Sequence, residues 1–129
     1  MELAARSRSA RSSADGLLDP AVVADLRAEF AGGYQADLDR IVELFVASAP
    51  ARFARVRDAV EQCDPIMLRE AAHGLRGSSA NLGGTRVSAI CMELEALSDR
   101  SASEQREALT HLGHVLSLTC VALARELAA

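Results

Sequence analysis

The chain has 129 residues, 50% of them hydrophobic but only 3% aromatic, with no tryptophan and a net charge of −4. That length suits one domain with its own core, and apolar content carried by Ala, Leu and Val favours helices over strands. The acidic balance and scarcity of rings argue against a nucleic-acid partner, three cysteines without C-x-x-C spacing give neither a disulfide framework nor a zinc site, and no apolar run reaches the roughly 20 residues of a membrane span.

Residues 1–14 are Ser/Arg-rich and aperiodic, and read as a disordered tail or linker made locally basic by Arg6, Arg8 and Arg11. They contain no apolar stretch of the kind a secretory signal needs, so a cytoplasmic setting is expected. The folded part is taken as residues 15–129. Asp19-Pro20 supplies an N-cap and a proline at the first helical position. Val22, Val23, Leu26 and Phe30 follow at helical spacing, and Gly32-Gly33 ends this short helix.

A longer segment carries Leu38, Val42, Phe45, Ala49, Phe53, Val56 and Val60 in steps of three or four. Its phase holds across Pro50, which predicts one bent helix rather than two. Cys63-Asp64-Pro65 is a stop and restart, with Asp64 as the next N-cap. A third helix from about Pro65 to Leu82 sets Leu68, Ala72, Leu75, Ser79 and Leu82 on one seam, and Gly83-Gly84 breaks it. A fourth helix follows with Val87, Ile90, Cys91, Leu94 and Leu97. After a polar loop, Ser101 with Glu104 forms a possible capping box for a last helix through Leu109, Leu112, Leu116, Cys120, Leu123 and Leu127. These elements predict an all-α fold, an antiparallel up-down four-helix bundle with an additional short N-terminal helix.

The third helix holds two interior glycines, Gly74 and Gly77, each costing roughly 1 kcal/mol relative to alanine. On a wheel of about 100° per residue, His73 lies roughly 140° and Gly77 roughly 180° from the apolar seam. Arg69 and Ala80 fall on the same outer side, and Arg76 lies between core and solvent. An exposed imidazole is thus followed, one turn on, by bare backbone, with a cation three residues away. Such a face leaves room for a partner to approach, and Arg69 and Arg76 would make it a local basic spot on an acidic chain. The plainer alternative is a surface histidine beside residues kept small for packing, but these glycines are on the wrong face for core packing.

The run His73-Gly-Leu-Arg76-Gly77-Ser78-Ser79-Ala80-Asn81-Leu82-Gly83 resembles the signature of the histidine phosphotransfer (HPt) domain family, H-x-x-[KR]-G-[SA]-[SA]-x-x-[LIV]-G. An acidic residue before the motif (Asp64) and a Cys-x-x-Leu-Glu-like run after it (Cys91 to Glu95) are similar to the family as well, and the resemblance spans roughly residues 19–127. It implies a carrier in a multistep phosphorelay, in which His73 takes a phosphoryl group from a receiver-domain aspartate and passes it to another. A neutral imidazole is a competent nucleophile near pH 7, and phosphoryl transfer needs in-line geometry and charge neutralisation.

The resemblance assigns charge stabilisation of the phosphoryl group to Arg76. It assigns docking of the receiver to Arg69, Gly77, Ser78, Ala80 and Asn81, with Phe53 and Arg57 on the second helix. It implies no cofactor on this chain, since the magnesium ion belongs to the receiver. The partners it implies are response-regulator receiver domains and a hybrid sensor histidine kinase; a monomer is expected because one bundle can bury its own seams.

Two positions depart from the family's usual pattern. Lysine is common where this chain has Arg76, and the two cations differ in shape and hydrogen bonding; but all 14 basic residues here are arginine, which makes the change a chain-wide bias. Gly84 stands where alanine is common. No Gly-rich phosphate loop at a strand-to-helix junction accompanies the motif, so no ATP site is expected. His111 and His114, with Glu107, are spaced like metal ligands on the last helix but lie opposite its apolar stripe, which reads as a solvated face. The competing reading for the chain is a helical adaptor whose His73 is not phosphorylated.

Overall fold

The computed structural model describes residues 16–129, and the tail expected at residues 1–14 lies outside that range. Among the described residues the chain forms five helices and no strand: α1 (Pro20–Glu29), α2 (Gln35–Glu61), α3 (Pro65–Asn81), α4 (Thr85–Ala96) and α5 (Ala102–Leu127). The four longer helices make a ring in which α2 packs on α3, α3 on α4, α4 on α5, and α5 back on α2. This is the expected four-helix bundle with a short N-terminal helix.

Local chemistry sets the boundaries. The carboxylate of Asp19 accepts from the Ala21 amide at 2.9 Å, and that of Asp64 from the Met67 amide at 3.0 Å. Each aspartate is followed by proline in the first turn, where the missing N–H costs nothing. Ser101 caps α5 by accepting from the Glu104 amide, and its hydroxyl donates to the Glu104 carboxylate. Between α1 and α2 the chain turns through Gly32 and Gly33, both at positive φ. The connection from α2 to α3 reaches the left-handed region at Cys63, with φ of 53° and a side chain to accommodate. Pro50 stands inside a single continuous α2, as the unbroken apolar phase predicts.

The core is aliphatic. Leu38, Val56, Val60, Leu68, Ala72, Leu75, Val87, Leu94, Leu112 and Leu123 are fully or almost fully buried, drawn from all four long helices. By composition α5 is long and apolar enough to cross a membrane, but its stripe of Leu112, Leu116, Leu123 and Leu127 is buried in the bundle. Helix α1 closes one end. The Asp19 amide donates to the Gly83 carbonyl at 2.8 Å, and the Arg27 guanidinium grips both the carboxylate and the carbonyl oxygen of Glu126 near the end of α5.

Candidate functional site

The middle of α3 presents the outer face that helical phase predicts. Leu68, Ala72, Leu75 and Ser79 face inward and are buried, with the Ser79 hydroxyl returning a hydrogen bond to the Leu75 carbonyl at 2.8 Å. His73, Gly74, Gly77, Ala80 and Asn81 are exposed, and 70% of the His73 side chain is open to solvent. A Cβ built on Gly74 or Gly77 meets nothing within 4 Å. Both glycines therefore leave open space beside the imidazole, and neither serves close packing within the bundle.

One edge of this face is formed by α4. The Arg76 guanidinium places one NH2 nitrogen 2.8 Å from Nδ1 of His73 and its Nε 2.8 Å from one carboxylate oxygen of Glu95. The other Glu95 oxygen stands 3.6 Å from the same Nδ1. Arg76 is one-third exposed and Glu95 less so. The Arg76–Glu95 contact is an ion pair without the alignment of a hydrogen bond. The Ser88 hydroxyl donates to the Arg76 carbonyl at 3.3 Å, tying α4 to this turn of α3. Since Nδ1 carries all of these contacts, Nε2 is the ring nitrogen left for chemistry.

Arg69, one turn before His73, faces the connection that follows α4: it donates to the Ser98 hydroxyl at 3.0 Å and pairs with Asp99 at 3.6 Å. The local basic spot expected from Arg69 and Arg76 is thereby corrected. Each arginine is matched by a carboxylate of the α4 end of the bundle, and the surface beside His73 is charge-compensated.

The other edge is formed by α2. Ser78, Asn81 and Leu82 share a groove with Ile41, Leu44, Phe45, Ser48 and Arg52, in which Ile41 and Leu44 leave apolar surface exposed. Phe53 and Arg57, the α2 residues expected at this face, are set apart from it. The Phe53 ring lies over Gly113 of α5, where an added Cβ would come within 3.1 Å of it, and lines a crevice between α2 and α5. Arg57 pairs along its own helix with Asp58 at 3.6 Å and Glu61 at 3.7 Å, roughly 140° around α2 from Arg52.

Elsewhere, His111 and His114 are exposed, as their helical phase predicts, and line a groove with Arg86 and Arg125. Among the described residues no three His, Cys, Asp or Glu side chains converge as metal ligands. Cys91 is buried, and its thiol is pushed up to about 12, by burial first and then by the nearby Glu95 charge.

Sequence reasoning did not place Glu95, Ile41, Leu44, Ser48 or Arg52 at the site. Glu95 lies on the flank of an apolar helix, where periodicity shows that it is off the core but not which neighbour it meets.

No curated protein matches this chain. Among solved structures, the crystal structure of histidine-containing phosphotransfer protein B (HptB) from Pseudomonas aeruginosa PAO1 is similar, with a TM-score of 0.70 and 24% sequence identity over 84% of this chain and 92% of that one. At that identity the likeness speaks for the fold. The Hpt domain family matches residues 40–129, a span that begins inside α2 and holds α3, α4, α5 and the whole His73 motif. The chain belongs to the Hpt domain family, whose members carry phosphoryl groups on histidine in phosphorelays.

Proposed function

We propose that His73 is the phosphoryl acceptor and that Nε2 is the attacking atom. The observation that carries this reading is an imidazole 70% open to solvent, held through Nδ1, beside two glycines that leave its approach path clear. The Nε2 lone pair forms the N–P bond as the acyl-phosphate O–P bond of a receiver aspartate breaks, and the electron pair leaves on the aspartate carboxylate. Transfer onward is the reverse of this step on a second receiver. The arrangement positions the imidazole and sets beside it a cation able to meet phosphoryl oxygens, and phosphoryl transfer depends mainly on such positioning and charge neutralisation.

In this reading the phosphoryl group originates on a sensor histidine kinase, and the receiver brings the magnesium ion and its own acidic residues. The receiver lies over Gly77, Ala80 and Asn81, with Ser78 and the exposed apolar flank of Ile41 and Leu44 on α2 beside them. The chain works as a cytoplasmic monomer, since the bundle buries its own apolar seams.

The test is transfer from a receiver charged with labelled phosphate. Acid-labile, alkali-stable label is expected on the full chain and none on His73→Gln. Label persisting in His73→Gln would overturn the assignment. Absence of label on the unsubstituted chain with every charged receiver of its cell would point to the adaptor reading instead.

A further inference from the structure

Two side chains make opposite demands on one nitrogen of His73. A guanidinium can only donate hydrogen bonds, so with an Arg76 NH2 nitrogen 2.8 Å away, Nδ1 must be the acceptor. The proton of the neutral ring then sits on Nε2, and an Nε2 that carries a proton has no lone pair to offer phosphorus. The carboxylate of Glu95 can only accept, and therefore favours the other tautomer, with the proton on Nδ1 and Nε2 bare. Its nearer oxygen is 3.6 Å from Nδ1, roughly 0.7 Å beyond the usual length of such a hydrogen bond. As the side chains stand, the contact with Arg76 is made and the one with Glu95 is not.

We propose that Arg76 and Glu95 form a tautomer gate on His73. Seated on Nδ1, Arg76 holds the ring in its unreactive Nε2–H form. When the guanidinium moves off to the oxygens of an incoming phosphoryl group, Glu95 closes on Nδ1–H and the Nε2 lone pair is freed. The inference rests on His73 being the acceptor and adds what controls its reactivity.

The geometry favours release. The tie between Arg76 and Glu95 is an ion pair without an aligned hydrogen bond, whereas phosphoryl oxygens offer the guanidinium two parallel charge-assisted bonds. Protons balance across the exchange: Nε2–H gives its proton to water and Nδ1 takes one from water. During transfer the ring loses none. Nδ1–H stays in place, and the positive charge the ring acquires with the N–P bond lies beside the Glu95 carboxylate. Glu95 is thus a positioning residue, and Arg76 changes partner between the resting ring and the phosphoryl group. A donor that cannot draw Arg76 away meets a ring in the wrong tautomer.

Nitrogen-15 NMR of the ring reports the tautomer directly, with His73→Gln identifying the signals. In the full chain, the neutral His73 ring is expected to be mainly Nε2–H. In Arg76→Ala the ratio of Nδ1–H to Nε2–H should rise by roughly a hundredfold, about tenfold for each of the two charge-assisted hydrogen bonds exchanged, and in Arg76→Ala with Glu95→Ala only the tenfold part owed to Arg76 should remain. A ring already mainly Nδ1–H in the unsubstituted chain, a ratio unmoved by Arg76→Ala, or a rise undiminished by loss of Glu95 would each overturn the gate. The labelling experiment is independent of this one. A ring that switches as expected but is never labelled sinks the acceptor reading, and a labelled ring that does not switch sinks the gate alone.

Discussion

Gly77 shows how one missing side chain can serve partner and fold in opposite ways. A glycine in a helix interior costs about 1 kcal/mol relative to alanine or leucine, and nothing in the bundle needs the space, since an added Cβ meets no atom within 4 Å. Gly77→Leu is therefore expected to raise the melting temperature while abolishing phosphotransfer from a receiver, because the new side chain fills the approach to His73. Thermal unfolding and the labelling assay read the two effects separately; a variant that is destabilised, or that transfers normally, would contradict this use of the outer face. The roles of His73 and Gly77 in shaping that face were legible in sequence because both belong to one helix, whose phase is set by its own apolar seam. Glu95 was not, because it reaches His73 only through the register of α4 against α3. For the same reason the sequence showed the charges of Arg69 and Arg76 but not the carboxylates of Glu95 and Asp99 that compensate them.

The elements themselves were legible from apolar period and caps: Asp19 and Asp64 each hold the amide of a first turn, and α2 runs unbroken past Pro50. What periodicity does not encode is the side on which the next helix lies. A residue off the core direction of α2 can flank α3 or α5, and only the handedness of the ring decides between them. Periodicity allows Phe53 and Arg57 on the α3 side, yet Phe53 covers Gly113 of α5 and it is Ser48 and Arg52 that share a groove with Ser78 and Asn81. A second departure is at the link from α2 to α3, where Cys63 takes a left-handed conformation that turns usually assign to glycine. A side chain there costs roughly 1 kcal/mol or more, and Cys63 is exposed and makes no disulfide. Cys63→Gly should therefore stabilise the domain by several tenths to about 1 kcal/mol, after the extra freedom glycine gives the unfolded chain. Denaturant titration would show a higher midpoint at unchanged slope, and a lower midpoint would mean that the Cys63 side chain makes contacts that outweigh the strain.

At the scale of the whole molecule, closing four helices into a ring withdraws groups from water that the unfolded chain leaves exposed, and two of these are thiols. Cys91 is held up to about 12 from its ordinary 9.0, first by burial and then by the Glu95 charge, and Cys120 is raised by burial. Both shifts have the same sign. Above pH 9 the unfolded chain releases thiol protons that the folded chain keeps, so the folded state binds more protons and stability falls as pH rises. The contribution of Cys91 is present in full below about pH 9 and is lost progressively as pH climbs towards 12. The limiting slope is about 1.4 kcal/mol per pH unit for one thiol, so one unit above pH 9 should cost on the order of 1 kcal/mol and lower the melting temperature by a few degrees. Melting curves between pH 7.5 and 10.5 are expected to be flat at first and then to fall, and Cys91→Ala should flatten most of the fall even though it starts from lower stability. An unchanged alkaline slope in Cys91→Ala would place the proton release on other groups and remove Cys91 from the account.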